Sequence, residues 1–280
     1  MRRILRMGSR GSKLATWQAN WAKTELETIF EELTVELVII STTGDRIRDL
    51  PLAQIGGKAL FTKELDEALL DDRIDFAVHS MKDLPFGLPE GIQLAAITER
   101  EDHRDALVSG GMKLRDMPSD VRIGTSSLRR QVQLRHHFPE IAVLPLRGNV
   151  DTRLRKLDAG QYDGIILAAA GLNRLEYSHR ITECIQSEIM LSAVGQGALG
   201  LVCRTGDSHT QTSLVHLNDE TTRQAVLAER AMLTGLQGGC QFPIGGYAHI
   251  EENVLVLTGL IASLDGSKRI VDCASGEPAR

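Results

Sequence analysis

Apolar residues along this 280-residue chain fall into short runs of two kinds, and their alternation predicts the architecture. Ile4-Leu5-Arg6-Met7-Gly8-Ser9 reads as a strand, after which Ser12 stands as the N-cap of a helix from Lys13 to about Glu31. Thr34–Ile40 is rich in β-branched residues, a polar glycine-bearing stretch covers 42–57, helical spacing returns over Leu60–Leu70, and Asp75-Phe76-Ala77-Val78-His79 is a further strand. The pattern restarts after Ile97, with strands at Ala106–Val108, Val121–Ile123, Ile141–Leu144 and Gly164–Ala168 between helices near 127–136 and 149–159. Strands that alternate with helices predict a parallel or mixed sheet covered on both faces, with ligands at the carboxyl ends of its strands. A helix from Asn218 to Thr234 then precedes Ile244–Ile250, Val254–Ala262 and Arg269–Cys273, which alternate as an antiparallel sheet. The predicted class is therefore α/β, two α/β domains followed by a small α+β domain. Thr98-Glu99-Arg100-Glu101-Asp102-His103-Arg104-Asp105 is charged, has no hydrophobic period and reads as a hinge or linker.

Composition narrows the partners. The formal net charge of -5 and a pI near 5.9 argue against nucleic-acid binding, and aromatics at 4% against a base-stacking platform. No apolar run is long enough to span a bilayer, and Met1-Arg2-Arg3 leads into mixed sequence instead of a signal-peptide core, so the expectation is a soluble cytoplasmic protein without a membrane partner. Nothing in the pattern demands more than a monomer. The four cysteines, Cys184, Cys203, Cys240 and Cys273, contain no Cys-x-x-Cys pair, which disfavours a zinc site or a disulfide framework. Cys203 reads as a small buried hydrophobe, whereas Gly238-Gly239-Cys240-Gln241-Phe242-Pro243 puts Cys240 on a glycine-rich loop.

Against the overall negative charge, Gly124-Thr125-Ser126-Ser127-Leu128-Arg129-Arg130 is followed by Leu146-Arg147-Gly148-Asn149-Val150-Asp151-Thr152-Arg153 and by Arg174. Cations gathered against the overall sign point to a small-anion site. Thr125 to Ser127 would offer backbone N–H groups and hydroxyls at a helix start, where the dipole favours a carboxylate, and arginine adds a bidentate fork. The plainer alternative for Arg129 and Arg130 is ordinary surface charge on a helix. Ser80, Lys82 and Asp83 reach one spot at the end of a strand, with a solvated loop as the alternative. Arg10 and Ser12 end the first strand similarly, as ligand groups or as a helix cap beside a solvated arginine. Lys58, after Gly56-Gly57, either closes over a ligand or is solvated. His136-His137 reads as a helix end, since adjacent helical residues point apart.

Four motifs carry a resemblance: Val78-His79-Ser80-Met81-Lys82-Asp83-Leu84-Pro85, the Gly124–Arg130 and Leu146–Arg153 segments, and Gly238-Gly239-Cys240-Gln241-Phe242-Pro243-Ile244-Gly245. In this order they resemble those of the porphobilinogen deaminase (hydroxymethylbilane synthase) family. The likeness runs from Arg6-Met7-Gly8-Ser9-Arg10 nearly to the chain's end, through Val194-Gly195-Gln196-Gly197 and Ala228-Glu229-Arg230. The resemblance implies two domains like those of periplasmic binding proteins and a small third one, with boundaries at 1–98 plus 195–216, 99–194 and 217–280. It implies a transferase of tetrapyrrole (haem) biosynthesis that joins four porphobilinogen molecules head to tail, releasing ammonia each time, to give linear hydroxymethylbilane. It further implies a dipyrromethane cofactor on a thioether at Cys240, and Asp83 as the catalytic carboxylate near the pyrrole nitrogens.

Each pyrrole carries acetate and propionate groups, which explains the arginines. By resemblance Ser80, Lys82, Asp83, Thr125, Ser127, Arg129, Arg130 and Arg147 would hold the cofactor; Arg10, Ser12, Lys58, Arg147, Arg153 and Arg174 would meet substrate. Loss of ammonia leaves a cationic azafulvene, which a carboxylate is suited to stabilise. Two departures from the family are expected to matter. His103 stands where proline is common, and the chain stops before a C-terminal helix that covers the third domain's sheet. The rival readings are a non-catalytic two-lobed binding protein, which gives Cys240 and Asp83 no special role, and a DNA-binding regulator, which needs a helix-turn-helix that the sequence lacks.

Overall fold

A computed structural model describes residues 3–46, 61–236 and 242–278. These residues form two compact units, the first drawn from 3–46, 61–100 and 198–223, the second from 101–197, 224–236 and 242–278. The first begins with β1 (Arg3–Ser9), β2 (Leu33–Ile39), β3 (Phe76–Ser80) and β4 (Ile92–Ile97). The chain then supplies the second with β5 (Asp105–Ser109), β6 (Arg122–Gly124), β7 (Ala142–Leu144), β8 (Gly164–Ala168) and β9 (Glu183–Cys184). It returns to the first in β10 (Leu199–Arg204) and ends in β11 (Ile244–Glu251), β12 (Val254–Ala262) and β13 (Arg269–Gly276).

The first sheet has the order β2-β1-β3-β10-β4 and the second β7-β6-β8-β5-β9. In each, three neighbouring parallel strands meet one antiparallel strand, β10 against β3 and β5 against β8. The strand that runs backwards is the one the chain delivers as it crosses from the other unit. The sheets are thus mixed. Parallel β1 and β3 end together, and so do β6 and β8, which brings the candidate loops of each unit to one edge.

In the first unit the helix Lys13–Ile29 lays Ala19, Ala22 and Leu26, spaced by three and four, on Met7, Phe76, Val78 and Leu201 of the sheet. Each large side chain so buried contributes about 1.5–3 kcal/mol. In the second, β5 is apolar on both faces: Leu107 packs with Ile123, Leu134 and Ile166, while Ala106 and Val108 pack with Leu146, Leu154 and Leu172. A strand covered on both sides reads as a continuous apolar run, which is why its pattern gave no alternation. The helix Glu220–Gly235 precedes the antiparallel β11-β12-β13 sheet, the small C-terminal α+β portion that was expected.

Two α/β units and this portion are the fold class predicted. Three strands escaped the pattern: β4, β9 and β10. Thr98–Asp105 spans the passage of the chain from the first unit to the second, and within it Thr98 is buried and Asp105, wholly buried, is the first residue of β5.

Candidate functional site

In the first unit, Arg10 follows β1, and Ser80 ends β3 with Met81–Asp83 following it, at the carboxyl ends of parallel neighbours. Met81-Lys82-Asp83 forms a single 3-10 turn held by its apolar flanks: Met81 and Leu84 are buried, and the Met81 N–H donates to the Ala198 carbonyl at 3.0 Å. Gly200 of β10 makes room for both, since a Cβ there would stand 2.4 Å from Met81 Sδ and 2.9 Å from a Leu84 methyl. Burying Met81 and Leu84 turns Asp83 outward, where it is exposed, with Lys82 half-buried beside it. The segment is therefore a fixed turn that displays a carboxylate.

Around it stand hydroxyls and a guanidinium. Gln18, buried on the first helix, donates from Nε2 to Ser80 Oγ at 3.0 Å, which leaves the Ser80 proton available to a further acceptor. Ser12 caps that helix by accepting from the Ala15 N–H at 3.3 Å. Arg10 lies with Cζ 4.2 Å from the centroid of the Phe61 ring. Beneath them His79 is buried, and burial, followed by the charge of Arg10, lowers its pKa to about 4. His79 is neutral at pH 7.

The second unit treats its cations differently. Arg129 and Arg130, which open the helix Leu128–His137, are both 5% exposed. Arg129 Nη1 donates to Asp105 Oδ2 and to the Leu191 carbonyl, each at 2.6 Å. Arg130 donates from Nε and Nη2 to Asp105 Oδ1 at 3.1 and 2.7 Å, and from Nη1 to the Ile166 carbonyl at 2.8 Å. Burial alone would push the Asp105 carboxyl up, but the two guanidiniums outweigh it and hold the group far below the usual carboxylate range. Arg174 is buried as well, donates to the Gly197 carbonyl at 2.6 Å, and is lowered to about 10 by burial despite Glu101.

Arg147 and Arg153 are half-buried instead. Gly148, at φ +118°, makes the turn between them, a conformation that disfavours a side chain. Asn149 then caps the helix Val150–Asp158 by accepting from the Thr152 N–H at 2.9 Å, and Arg153 Nε donates to the Gly148 carbonyl at 2.7 Å. Arg147 Nη1 is a buried donor without a hydrogen-bond partner, an arrangement that favours an anionic ligand. Thr125 is buried and its hydroxyl accepts from the Ser127 N–H at 3.2 Å.

The family model described as the porphobilinogen deaminase dipyromethane cofactor binding domain matches residues 5–212, and that of the porphobilinogen deaminase C-terminal domain matches 223–278. The chain belongs to the porphobilinogen deaminase family. The porphobilinogen deaminase of Geobacter metallireducens is 51% identical over 272 residues, 97% of this chain and 86% of that protein. That of Syntrophotalea carbinolica is 51% identical over 277 residues, 99% of this chain and 88% of that protein.

Among the expected site residues of this deaminase family member, the first unit brings Arg10, Ser12, Ser80, Lys82 and Asp83 to one sheet edge. The second places Thr125 and Ser127 in a strand-to-helix turn, with Arg147 and Arg153 following its neighbour β7. Cys240 and Lys58 lie outside the described residues. Three partners escaped the sequence reading: Gln18, Asp105 and Gln196, which donates to Asp105 Oδ1 at 2.9 Å. The available signal for Asp105 was an acid leading straight into an apolar run with no basic residue inside that run. Gln18 gave a fainter one, a polar residue on the helix face occupied by Ala19, Ala22 and Leu26.

Proposed function

We propose that this chain is the polymerising enzyme of its family, joining four porphobilinogen molecules head to tail with loss of ammonia to give hydroxymethylbilane, and that Asp83 is its catalytic carboxylate. The exposed Asp83 on its buttressed turn carries this reading, because only a held carboxylate is preorganised for charge that develops during reaction. When ammonia leaves, the substrate carbon becomes cationic, and the attacking pyrrole acquires positive charge in turn. Asp83 stabilises both charges and accepts the pyrrole proton on a carboxylate oxygen. Lys82 and Ser80 offer donors to ring carboxylates. His79, neutral and buried, adds no competing positive charge beneath Arg10.

A dipyrromethane fits the donor set, since Arg147 Nη1 is a buried donor awaiting an acceptor. Ser80, Lys82, Asp83, Thr125, Ser127 and Arg147 are its proposed contacts, and Cys240 its point of thioether attachment. When bound, that group supplies the terminal pyrrole on which the chain grows. Arg10, Ser12, Lys58, Arg147 and Arg153 receive substrate carboxylates. Arg129, Arg130 and Arg174 enter this reading as buried charge that reinforces the field, their forks being turned partly to Asp105 and Gly197.

The protein so read is a cytoplasmic monomer with a small-molecule substrate and no nucleic-acid or membrane partner. The acidic balance supports this, as do the free thiols of Cys184, Cys203 and Cys273, which suit a reducing compartment. Among the described residues no helix is long and apolar enough to cross a membrane. Intact-mass measurement tests the assignment: purified protein carries a covalent dipyrrole, and Cys240→Ser does not, since a hydroxyl is the poorer nucleophile. Wild-type protein of unmodified mass that leaves porphobilinogen unchanged overturns it.

A further inference from the structure

His103 stands midway between Glu101, where the second unit begins among the described residues, and Asp105, where β5 begins. Its ring stacks on Tyr247 of β11, with centroids 3.6 Å apart and planes inclined by 15°. Tyr247 stacks in turn on His249, at 5.5 Å and 14°. Nδ1 of His103 lies 3.2 Å from Ser192 Oγ. Gln196 Nε2 donates both to the His103 carbonyl at 2.7 Å and to Asp105 Oδ1 at 2.9 Å. The ring of contacts closes on the far side: Gly246, beside Tyr247, donates its N–H to the Ser192 carbonyl at 2.9 Å, and the adjoining Leu191 carbonyl accepts from Arg129.

We propose that His103 is a positioning residue whose stack on Tyr247 clamps β11 to the Asp105–Arg129–Arg130 cluster. Both arginines thereby keep a fixed register with β11, which starts four positions after Cys240 in the chain. The inference rests on the function proposed above, since it gives the arginine pair a task in successive additions. Loosening the clamp shifts both guanidiniums and lowers the fraction of productive alignments at every step, an effect on turnover more than on substrate capture.

The test compares His103→Ala, Tyr247→Ala, the double variant and His103→Phe in the full chain. Aromatic pairs of this kind are worth about 3- to 10-fold in an equilibrium, so each alanine variant should lower kcat for porphobilinogen about 3- to 10-fold with KM within about 2-fold. The double variant should be no slower than the worse single one, because both remove the same contact. His103→Phe, which keeps a ring on Tyr247, should regain kcat to within about 2-fold of wild type. Unchanged kcat in His103→Ala, multiplying losses in the double variant, or no recovery in His103→Phe would each overturn the clamp. The His103 ring-proton NMR resonance supplies a readout independent of turnover. It should move in Tyr247→Ala, through loss of the tyrosine ring current. If wild type does not consume porphobilinogen, the functional reading fails while this shift still decides the clamp: a moved resonance upholds it, an unmoved one overturns it.

Discussion

The two units share a strand order, and their differences lie in where each keeps its carboxylate. In the first unit the antiparallel strand opens with Leu199, opposite Ser80 at the end of β3; in the second it opens with Asp105, opposite Ala168 at the end of β8. The first unit places its acid, Asp83, one turn beyond the third strand, exposed. The second sinks its acid into the sheet and spends both oxygens on Arg129 and Arg130. The parallel extends to the first helix of each unit, whose sixth residue is a buried glutamine. Gln18 orients the Ser80 hydroxyl, whereas Gln133 holds Leu191 in both directions, accepting its N–H at 2.8 Å and donating to its carbonyl at 3.1 Å. One plan thus yields an edge that presents chemistry and an edge that fixes charge.

The comparison breaks most sharply at Asp105. Asp105→Ala leaves two guanidiniums buried without their anion, and removing one partner of such a cluster costs about 3–5 kcal/mol. Chemical unfolding should show that loss, and the variant should fold poorly at 37 °C. A stability within about 1 kcal/mol of wild type would mean that Arg129 and Arg130 are not held as described. At the other acid the expectation reverses. Asp83→Asn keeps shape and exposure, so unfolding should be unchanged within about 0.5 kcal/mol, while turnover falls on the order of 10²- to 10³-fold. Normal porphobilinogen consumption by this variant would remove Asp83 from the chemistry.

Much of the plan was legible because it rests on local signals. Ser12 caps its helix as its side chain predicts, and the run Gly164–Ala168 forms a strand in place. The display of Asp83 was legible only in part: its place at a strand end followed from the pattern, but the buttress from Met81, Leu84 and Gly200 joins residues more than a hundred positions apart. Arg129 and Arg130 show where local reading stops. Their helix start suggested forks offered to a ligand anion, with surface charge as the alternative, and the partner that turns them inward sits 24 and 25 positions away in a segment that looked like linker. A charge pattern does not reveal whether its counterion is a ligand or the protein's own carboxylate.

Titration separates the units again. The first contains two buried groups of opposite tendency: Asp66, raised to about 6 by burial, and His79, lowered to about 4. For Asp66 the folded state binds the proton more tightly, so its contribution is full below the unfolded value near 3.9 and declines as pH rises to about 6. For His79 the unfolded state binds more tightly, so its contribution is full above about 6.5 and declines as pH falls toward 4. At about 1.36 kcal/mol per pH unit each is worth up to about 3 kcal/mol, and between pH 4 and 6 they offset each other. Asp105, depressed in the second unit, contributes no slope until pH falls below about 3.9. Asp66→Asn should therefore steepen the acid loss of stability by about 2 kcal/mol between pH 6.5 and 4.5, measured by urea unfolding at each pH. Profiles parallel to wild type would place Asp66 in contact with water.

The smallest effect concerns arginines that remain half-exposed. Arg10→Lys keeps the charge but loses the bidentate fork and the planar face over Phe61, a contact worth about 0.5–1 kcal/mol at such a site. KM for porphobilinogen should rise about 3- to 10-fold, with covalent dipyrrole still present by intact mass, because Arg10 receives substrate and is not a proposed cofactor contact. Stability should stay within about 1 kcal/mol of wild type, since Arg10 is half-buried and lysine keeps its charge. Arg130→Lys makes the contrasting case. It leaves Asp105 with a partner that cannot span the same two donors and reach the Ile166 carbonyl, so its loss should register first in unfolding. If Arg10→Lys destabilised the protein as much as Arg130→Lys, the first unit would also be using its cation to hold itself together, and the division between a presenting edge and a fixing edge would fail.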